Sequence, residues 1–250
     1  YWQRLGIPGV IDVHVHFMEP SIMAKVWAYF DTAGPLLGRP WPIAYRGSEF
    51  ERLDTLAKKG VKGFSALSYA HRSGVATMMN DWNREFALQH PQSLWSATFF
   101  PEPEAAEYVP ALIGEGVEVF KAHMQVGDFS ADDPLLDPVW NALERSGVPL
   151  VLHAGSGPAP GEHTGPVSVR RVLERWPNVR LIIAHLGMPE YSEFMQLARE
   201  FSNVFLDTTM TFVDFFEGPA FPEIPIEPLL GLQSKILFGS DRPTMAYNCA

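Results

Sequence analysis

Short apolar runs recur along this chain, and each is followed by a longer amphipathic segment. A strand buried on both faces reads as such a run, and the crossover to the next parallel strand needs a helix, so the alternation points to repeated βα units. The runs at 10–17, 61–68, 94–100, 117–124, 149–154, 179–185, 204–209 and 235–240 read as eight strands. Segments 48–59, 77–90, 103–113, 137–145, 167–176 and 189–201 read as helices. Ser48 and Glu51 have capping-box spacing, and Gly60 stands where the first of these helices should stop.

Eight such units predict an α/β fold of the (β/α)8 TIM-barrel type rather than an open doubly wound sheet. No Gly-Xaa-Gly-Xaa-Xaa-Gly turn follows the first run, and polar residues close many runs instead of gathering at one crevice. The 250 residues suit one barrel domain spanning 1–250. The sequence stops soon after the eighth run, so the expectation is a barrel lacking its last helix. Two stretches break the rhythm: 18–47, which carries Trp27, Tyr29, Phe30, Trp41 and Tyr45, and the Gly- and Pro-rich 156–165. Both follow strands, where barrel loops overlie the active-site mouth, so both read as substrate-enclosing segments. The aromatics of the first are equally suited to a hydrophobic cover or a homodimer surface.

A net charge of -10, from 29 acidic and 19 basic residues without a Lys/Arg cluster, argues against nucleic acid or anionic lipid as a partner. The single cysteine, Cys249, rules out an intrachain disulfide and a Cys-based zinc site. No apolar stretch reaches the roughly 18 to 20 residues of a membrane span, and no signal-peptide pattern is present, so a cytoplasmic protein is expected.

His14 and His16 lie two residues apart on the first strand, so both imidazoles face one side. Two nitrogen ligands on one face of a buried strand need a partner that compensates their desolvation, which favours a metal over two satisfied core histidines. Other strand ends carry Lys121, His123, His153, His185, Asp207 and Asp241. In a barrel these ends converge. His14, His16, His153 and Asp241 supply the three ligands a catalytic zinc site wants plus one, and Asp241 doubles as the acceptor of a proton from bound water. His185 is read as a general acid beside the metal. Lys121 shares a strand face with His123 and has three open readings: a carbamylated bridge between two metals, a cation for a substrate carboxylate, or a partner of Glu118 or Asp207. Asp207 has the alternative duty of orienting a ligand histidine. Arg242 is a candidate for gripping an anionic substrate. His71, His90 and His163 read as solvated.

With Asp12-Val13-His14-Val15-His16, the histidines closing strands five and six, and Gly239-Ser240-Asp241, the chain resembles the amidohydrolase superfamily. Within it, the chain resembles the amidohydrolase-related branch of aminocarboxymuconate-semialdehyde decarboxylase, resorcylate decarboxylase and several lactonases. The resemblance runs from Asp12 to Asp241. It implies one divalent ion, zinc or manganese, on His14, His16, His153 and Asp241, with His185 assisting the reaction. Lys121 and His123 depart from the shorter polar residues of strand four in the decarboxylases.

The leading expectation is a metal-dependent hydrolase that attacks a lactone, amide or ester through metal-bound hydroxide, with zinc as the cofactor. The alternative is a non-oxidative decarboxylase of an aromatic or unsaturated acid, and a third reading is an inactive barrel serving as a binding module. The substrate is expected to be a small molecule bearing a carboxylate, met by Lys121, His123 and Arg242.

Overall fold

In a computed structural model describing residues 2–213, 215 and 223–244, every expected strand region contributes to a parallel sheet. The strands are β1 (Val10–Val15), β2 (Val61–Ala66), β3 (Ser93–Leu94), β4 (Ser96–Thr98), β5 (Val119–His123), β6 (Leu150–His153), β7 (Leu181–Ile183), β8 (Val204–Asp207) and β9 (Ile236–Leu237). They pair in the orders β1-β2-β3 and β4-β5-β6-β7-β8-β9. β3 and β4 are halves of the run read as one strand. They part at Trp95, whose N–H turns to the Glu118 carboxylate at 2.9 Å instead of joining the β2 ladder.

The ring closes between the last strand and the first. Val13 N–H donates to Phe238 O at 3.0 Å, Asp241 N–H to His14 O at 2.8 Å and His16 N–H to Arg242 O at 2.6 Å. Asp12 reinforces this seam from below, its Oδ1 accepting from His14 N and from Ser240 N at 3.0 Å. At Gly239 a Cβ would stand 3.0 Å from the His14 Cβ and 2.6 Å from Thr209 Cγ2, so only glycine lets the strand end approach so closely.

Period-two alternation then sorts the side chains. Val119, Val151 and Ile182 pack together inside the barrel, with Phe205 and Leu237 against them. Their neighbours Phe120, Leu150, Leu152, Leu181 and Ile183 face outward, in the cluster that holds Trp140, Leu143, Val169, Val172 and Phe194 from the helices. Lys121, His153 and Asp207 each lie two residues beyond one of the interior residues, so the same alternation directs them inward at the strand ends.

The six expected helices occur as α3 (Glu49–Lys58), α4 (Ala76–Gln89), α5 (Ala105–Glu115), α7 (Asp137–Ser146), α8 (Pro166–Arg175) and α9 (Tyr191–Glu200). The short helices α2 (Gly34–Leu37), α6 (Met124–Gly127) and α10 (Ile226–Leu230) complete the series. The Ser48–Glu51 capping box is present. The stretch 18–47 departs from its irregular reading, because Pro20–Thr32 forms a further helix, α1. Pro20 opens it, and the Glu19 carboxylate accepts from Ser21 N at 2.9 Å and Ile22 N at 3.1 Å, which satisfies amides that would otherwise be orphaned. Ile22 packs against the cluster of Ala70, Val75, Ala76 and Met79, so α1 covers the segment that follows β2. Cys249 and the expectation of a missing last helix fall beyond Thr244, outside the described residues. Among the described residues no helix is long and apolar enough to cross a membrane.

The α4–β4 contact rests on one buried amide. Asn80 Nδ2 donates to Thr98 O at 3.0 Å and its Oδ1 accepts from Thr98 N at 2.7 Å. Asn80→Ala leaves both Thr98 groups unpaired in the core and is expected to destabilise the fold by about 2–4 kcal/mol, read as a lower urea midpoint at unchanged m-value. A loss below about 0.5 kcal/mol would show that water replaces the amide.

Candidate metal centre

The candidate centre is built from side chains whose outer atoms are tied to the barrel wall. His16 Nδ1 lies 3.0 Å from Leu67 O. A carbonyl only accepts, so Nδ1 carries the hydrogen and the Nε2 lone pair of the neutral ring faces inward. His14 Nδ1 donates in the same way to Asp207 Oδ2 at 2.8 Å, and His153 Nε2 to Gly157 O at 3.0 Å. On His185 the outer atom Nδ1 meets Thr209 Oγ1 at 2.6 Å, and that hydroxyl donates onward to Asp207 Oδ1. With the hydroxyl hydrogen committed to Asp207, Thr209 accepts from His185 Nδ1.

The inward atoms therefore present lone pairs to one another. His16 Nε2 stands 2.9 Å and His14 Nε2 3.6 Å from Asp241 Oδ1, an acceptor itself. His153 Nδ1 and His185 Nε2 face each other at 3.1 Å. Acceptors this close require a proton or a metal cation between them. Two groups of three have ligand atoms mutually within 4.8 Å: His14, His16 and Asp241, and His14, His185 and Asp207. This donor set of imidazole nitrogen and carboxylate oxygen fits a divalent transition metal. The chain thus brings together three of the four ligands expected from sequence. His153 belongs to neither group and turns its Nδ1 to His185 because Gly157 O fixes the opposite edge of its ring.

Burial and charge set the protonation. His14 is lowered to about 3, first by burial and then by the Lys121 charge, which together outweigh Asp207 and Asp241. Lys121 is fully buried with Nζ 3.3 Å from His14 Nε2, and burial brings it down to about 8 against the pull of Asp207 and Asp241. Burial raises Asp241, but the hydrogen bond with His16 and the neighbouring imidazoles prevail, so its carboxyl stays well below its ordinary value. Burial also raises Asp207, yet the His14 contact and the Thr209 hydroxyl keep it ionised. Asp12 goes the other way: burial lifts it to about 7 in spite of its bonds to Ser240 and His14.

The backbone is strained where the site demands it. His185 at φ 58° and Asp241 at φ 57° are left-handed although neither is glycine, a conformation that costs on the order of 1–3 kcal/mol and persists only where the surroundings over-determine it. Gly187 lets the chain leave His185, since at its φ of +78° a Cβ would lie 2.1 Å from the Phe194 ring.

Of the expected substrate residues, Lys121 is in the centre and His123 is beside it. The His123 ring stacks on His153 with centroids 3.8 Å apart, and its Nδ1 accepts from Val126 N, capping α6. Arg242 is outside the converging set: its guanidinium lies 3.9 Å from the Tyr45 ring centroid, in a cavity on the far side of β1. His71 is exposed and His90 bonds Glu49, away from the centre. Two contributors were not read from sequence. Tyr69 sets its ring edge-on to His16 at 5.7 Å and 5.0 Å from His123, and Thr209 bridges His185 to Asp207. A tyrosine just past the second strand end was a usable signal; nothing in the local sequence marked Thr209.

His16→Ala and Asp241→Ala are each expected to retain less than about a tenth of the wild-type metal, and Asp207→Asn to bind metal about 10–100-fold more weakly by competition with a chelator, because Asp207 orients His14. Wild-type metal content in all three, with unchanged circular dichroism, would contradict the assignment.

The sequence model of the family described as amidohydrolase matches residues 11–247. No curated protein sequence matches the chain. Among solved structures, an uncharacterised TIM-barrel protein of Bordetella bronchiseptica aligns with TM-score 0.76 at 17% identity, covering 95% of this chain and 87% of the other. A 2,6-dihydroxybenzoate decarboxylase complexed with 2,6-dihydroxybenzoate aligns with TM-score 0.66 at 19% identity, covering 96% and 90%. A dihydroxybenzoic acid decarboxylase of Polaromonas sp. JS666, with bound manganese and the inhibitor 2-nitroresorcinol, aligns with TM-score 0.60 at 17% identity, covering 96% and 88%. At these identities the structural likeness speaks for the barrel fold alone. With a family match over nearly its whole length and a His/Asp cluster at the strand ends, the chain belongs to the amidohydrolase family.

Proposed function

We propose that the protein is a metal-dependent, non-oxidative decarboxylase of a small aromatic acid, so that the hydrolase reading favoured on sequence gives way to its alternative. The observation that carries this is Lys121: a fully buried cation 3.3 Å from His14 Nε2, among the candidate ligands, it favours an anionic acid over a neutral lactone, amide or ester. A decarboxylase also needs a donor that protonates carbon. Thr209, whose hydroxyl bonds Asp207, anchors His185 through Nδ1, and His185 turns Nε2 into the centre as the atom that delivers a proton taken up there. The solved neighbours that act on dihydroxybenzoates support the same reading.

In this proposal His14, His16 and Asp241 hold one divalent ion, zinc or manganese, with His153 as the fourth ligand. The bound ion supplies Lewis acidity toward the oxygens of the acid. Lys121 adds positive charge in a closed, low-dielectric site and favours an anionic substrate. Tyr69, edge-on to His16 and beside His123, offers an aromatic partner for the ring of the substrate. A proton taken up on the inward Nε2 of His185 passes to the ring carbon as the bond to the carboxylate breaks and carbon dioxide leaves, the electron pair of that bond forming the new C–H bond, while Nδ1 keeps its hydrogen on Thr209.

With zinc or manganese restored, 2,6-dihydroxybenzoate in deuterated water is expected to yield carbon dioxide and resorcinol carrying one deuterium at the vacated carbon. His185→Asn should lower kcat about 100-fold or more at unchanged metal content. Hydrolysis of lactones or esters without carbon dioxide release from any hydroxybenzoate would contradict the proposal.

A further inference from the structure

The barrel carries a second concentration of charge that the proposed reaction does not use. On the outward face of β1, where Val15 and Phe17 pack against Leu56 of α3, lies a cavity of about 310 Å3 bordered by Tyr45, Arg46, Glu51, Arg52, Thr55 and Arg242. Its size is at the lower end of small-molecule sites. His16 also borders it, but His14, Lys121, His153, His185, Asp207 and Asp241 do not.

Arg242 is 5% exposed, and among the described residues its Nη2 has no hydrogen-bond partner and the buried Nε of Arg52 has none either. Neither guanidinium takes part in an ion pair among the described residues. A buried charge left without a counter-charge is costly, so the nearby carboxylates are the natural place to look for one. Each is committed elsewhere. Asp31 pairs with Arg46, Glu49 bonds His90 at 3.2 Å, and Glu51 accepts from the N–H and hydroxyl of Ser48, both at 2.8 Å. Burial accordingly pushes Arg52 below its ordinary value, with only partial compensation from Glu49.

The flat faces of both groups are already taken, Arg52 by Phe17 at 4.6 Å and Arg242 by Tyr45 at 3.9 Å. Apart from a 3.5 Å contact from Arg52 Nη1 to His16 O, their N–H edges are what is left, and those edges match the two oxygens of a carboxylate. We propose that this cavity, which shares only His16 with the metal centre, is a second binding site for a small carboxylate gripped between Arg52 and Arg242. Tyr45 and Phe17 fit it to an acid with a flat apolar body. The site adjoins the barrel seam, because Arg242 O accepts from His16 N, and its occupant stabilises the fold by mass action.

Titration calorimetry with benzoate, and with benzamide as the uncharged control, tests this on wild type, His14→Asn, Arg52→Gln and Arg242→Gln, before and after treatment with a chelator. Saturable benzoate binding is expected in wild type and His14→Asn, with or without metal, and at least tenfold weaker binding in both arginine variants; benzamide should give no saturable heat. Arg52→Gln removes only a half-buried group and keeps the test decisive if Arg242→Gln does not fold. No saturable binding to wild type overturns the proposal, as does binding lost in His14→Asn or on chelation and unchanged in Arg52→Gln.

Discussion

Leu67 O, Asp207 Oδ2, Gly157 O and Thr209 Oγ1 take up the outer hydrogens of His16, His14, His153 and His185. Everything at the mouth of the barrel depends on that. A neutral imidazole has one hydrogen to give, so a wall that claims it outside leaves a lone pair inside. His14 and His16 turn those lone pairs to the Asp241 carboxylate and His153 and His185 turn theirs to each other, an arrangement of facing acceptors that a cation completes. The outer acceptors come from three separate parts of the chain, at Leu67, at Gly157 and at Asp207 with Thr209, which is why closing the whole barrel is a condition for the centre. The seam contributes directly: Asp12 holds the amides of His14 and Ser240, and the bond from Asp241 N to His14 O sets a proposed ligand from the last strand beside two from the first.

The strands, the six main helices and most of the centre were legible because each depends on a short-range regularity. Alternation along Val119, Phe120, Lys121, Ala122 and His123 separates barrel interior from helix-facing core, and it directs Lys121 inward without knowledge of any neighbour. The spacing of His14 and His16 does the same. What escaped depends on partners distant in sequence. The division of the third strand follows from Glu118 capturing the Trp95 amide, a contact across 23 positions. Helix α1 was hidden because Trp27, Tyr29 and Phe30 blur its apolar stripe, and because the residue capping its start is a glutamate instead of one of the usual short side chains.

The same limit applies at the centre. Residue type and strand position nominated His153 as a ligand, but its orientation is decided by Gly157 O, in a loop whose path no local pattern specifies. Thr209 became important only once Asp207 and His185 were seen on either side of it. Arg242 follows Asp241 directly, but Asp241 lies past the end of β9 in a left-handed conformation, and beyond it the Arg242 guanidinium turns to Tyr45 in the cavity that Arg52 also lines. Adjacency in sequence had suggested a shared pocket; the backbone turn at Asp241 separates the two side chains.

The central claim is that His14 and His16 have fixed tautomers whose lone pairs converge on one cation. Nitrogen-15 spectra of histidine-labelled protein, recorded with and without zinc, test it at the atoms concerned. The account predicts that Nδ1 of His14 and His16 keeps its hydrogen in both samples while the Nε2 resonances of both shift on zinc addition. Hydrogen on Nε2 of either ring in the zinc-treated sample, or Nε2 signals indifferent to zinc, would contradict it.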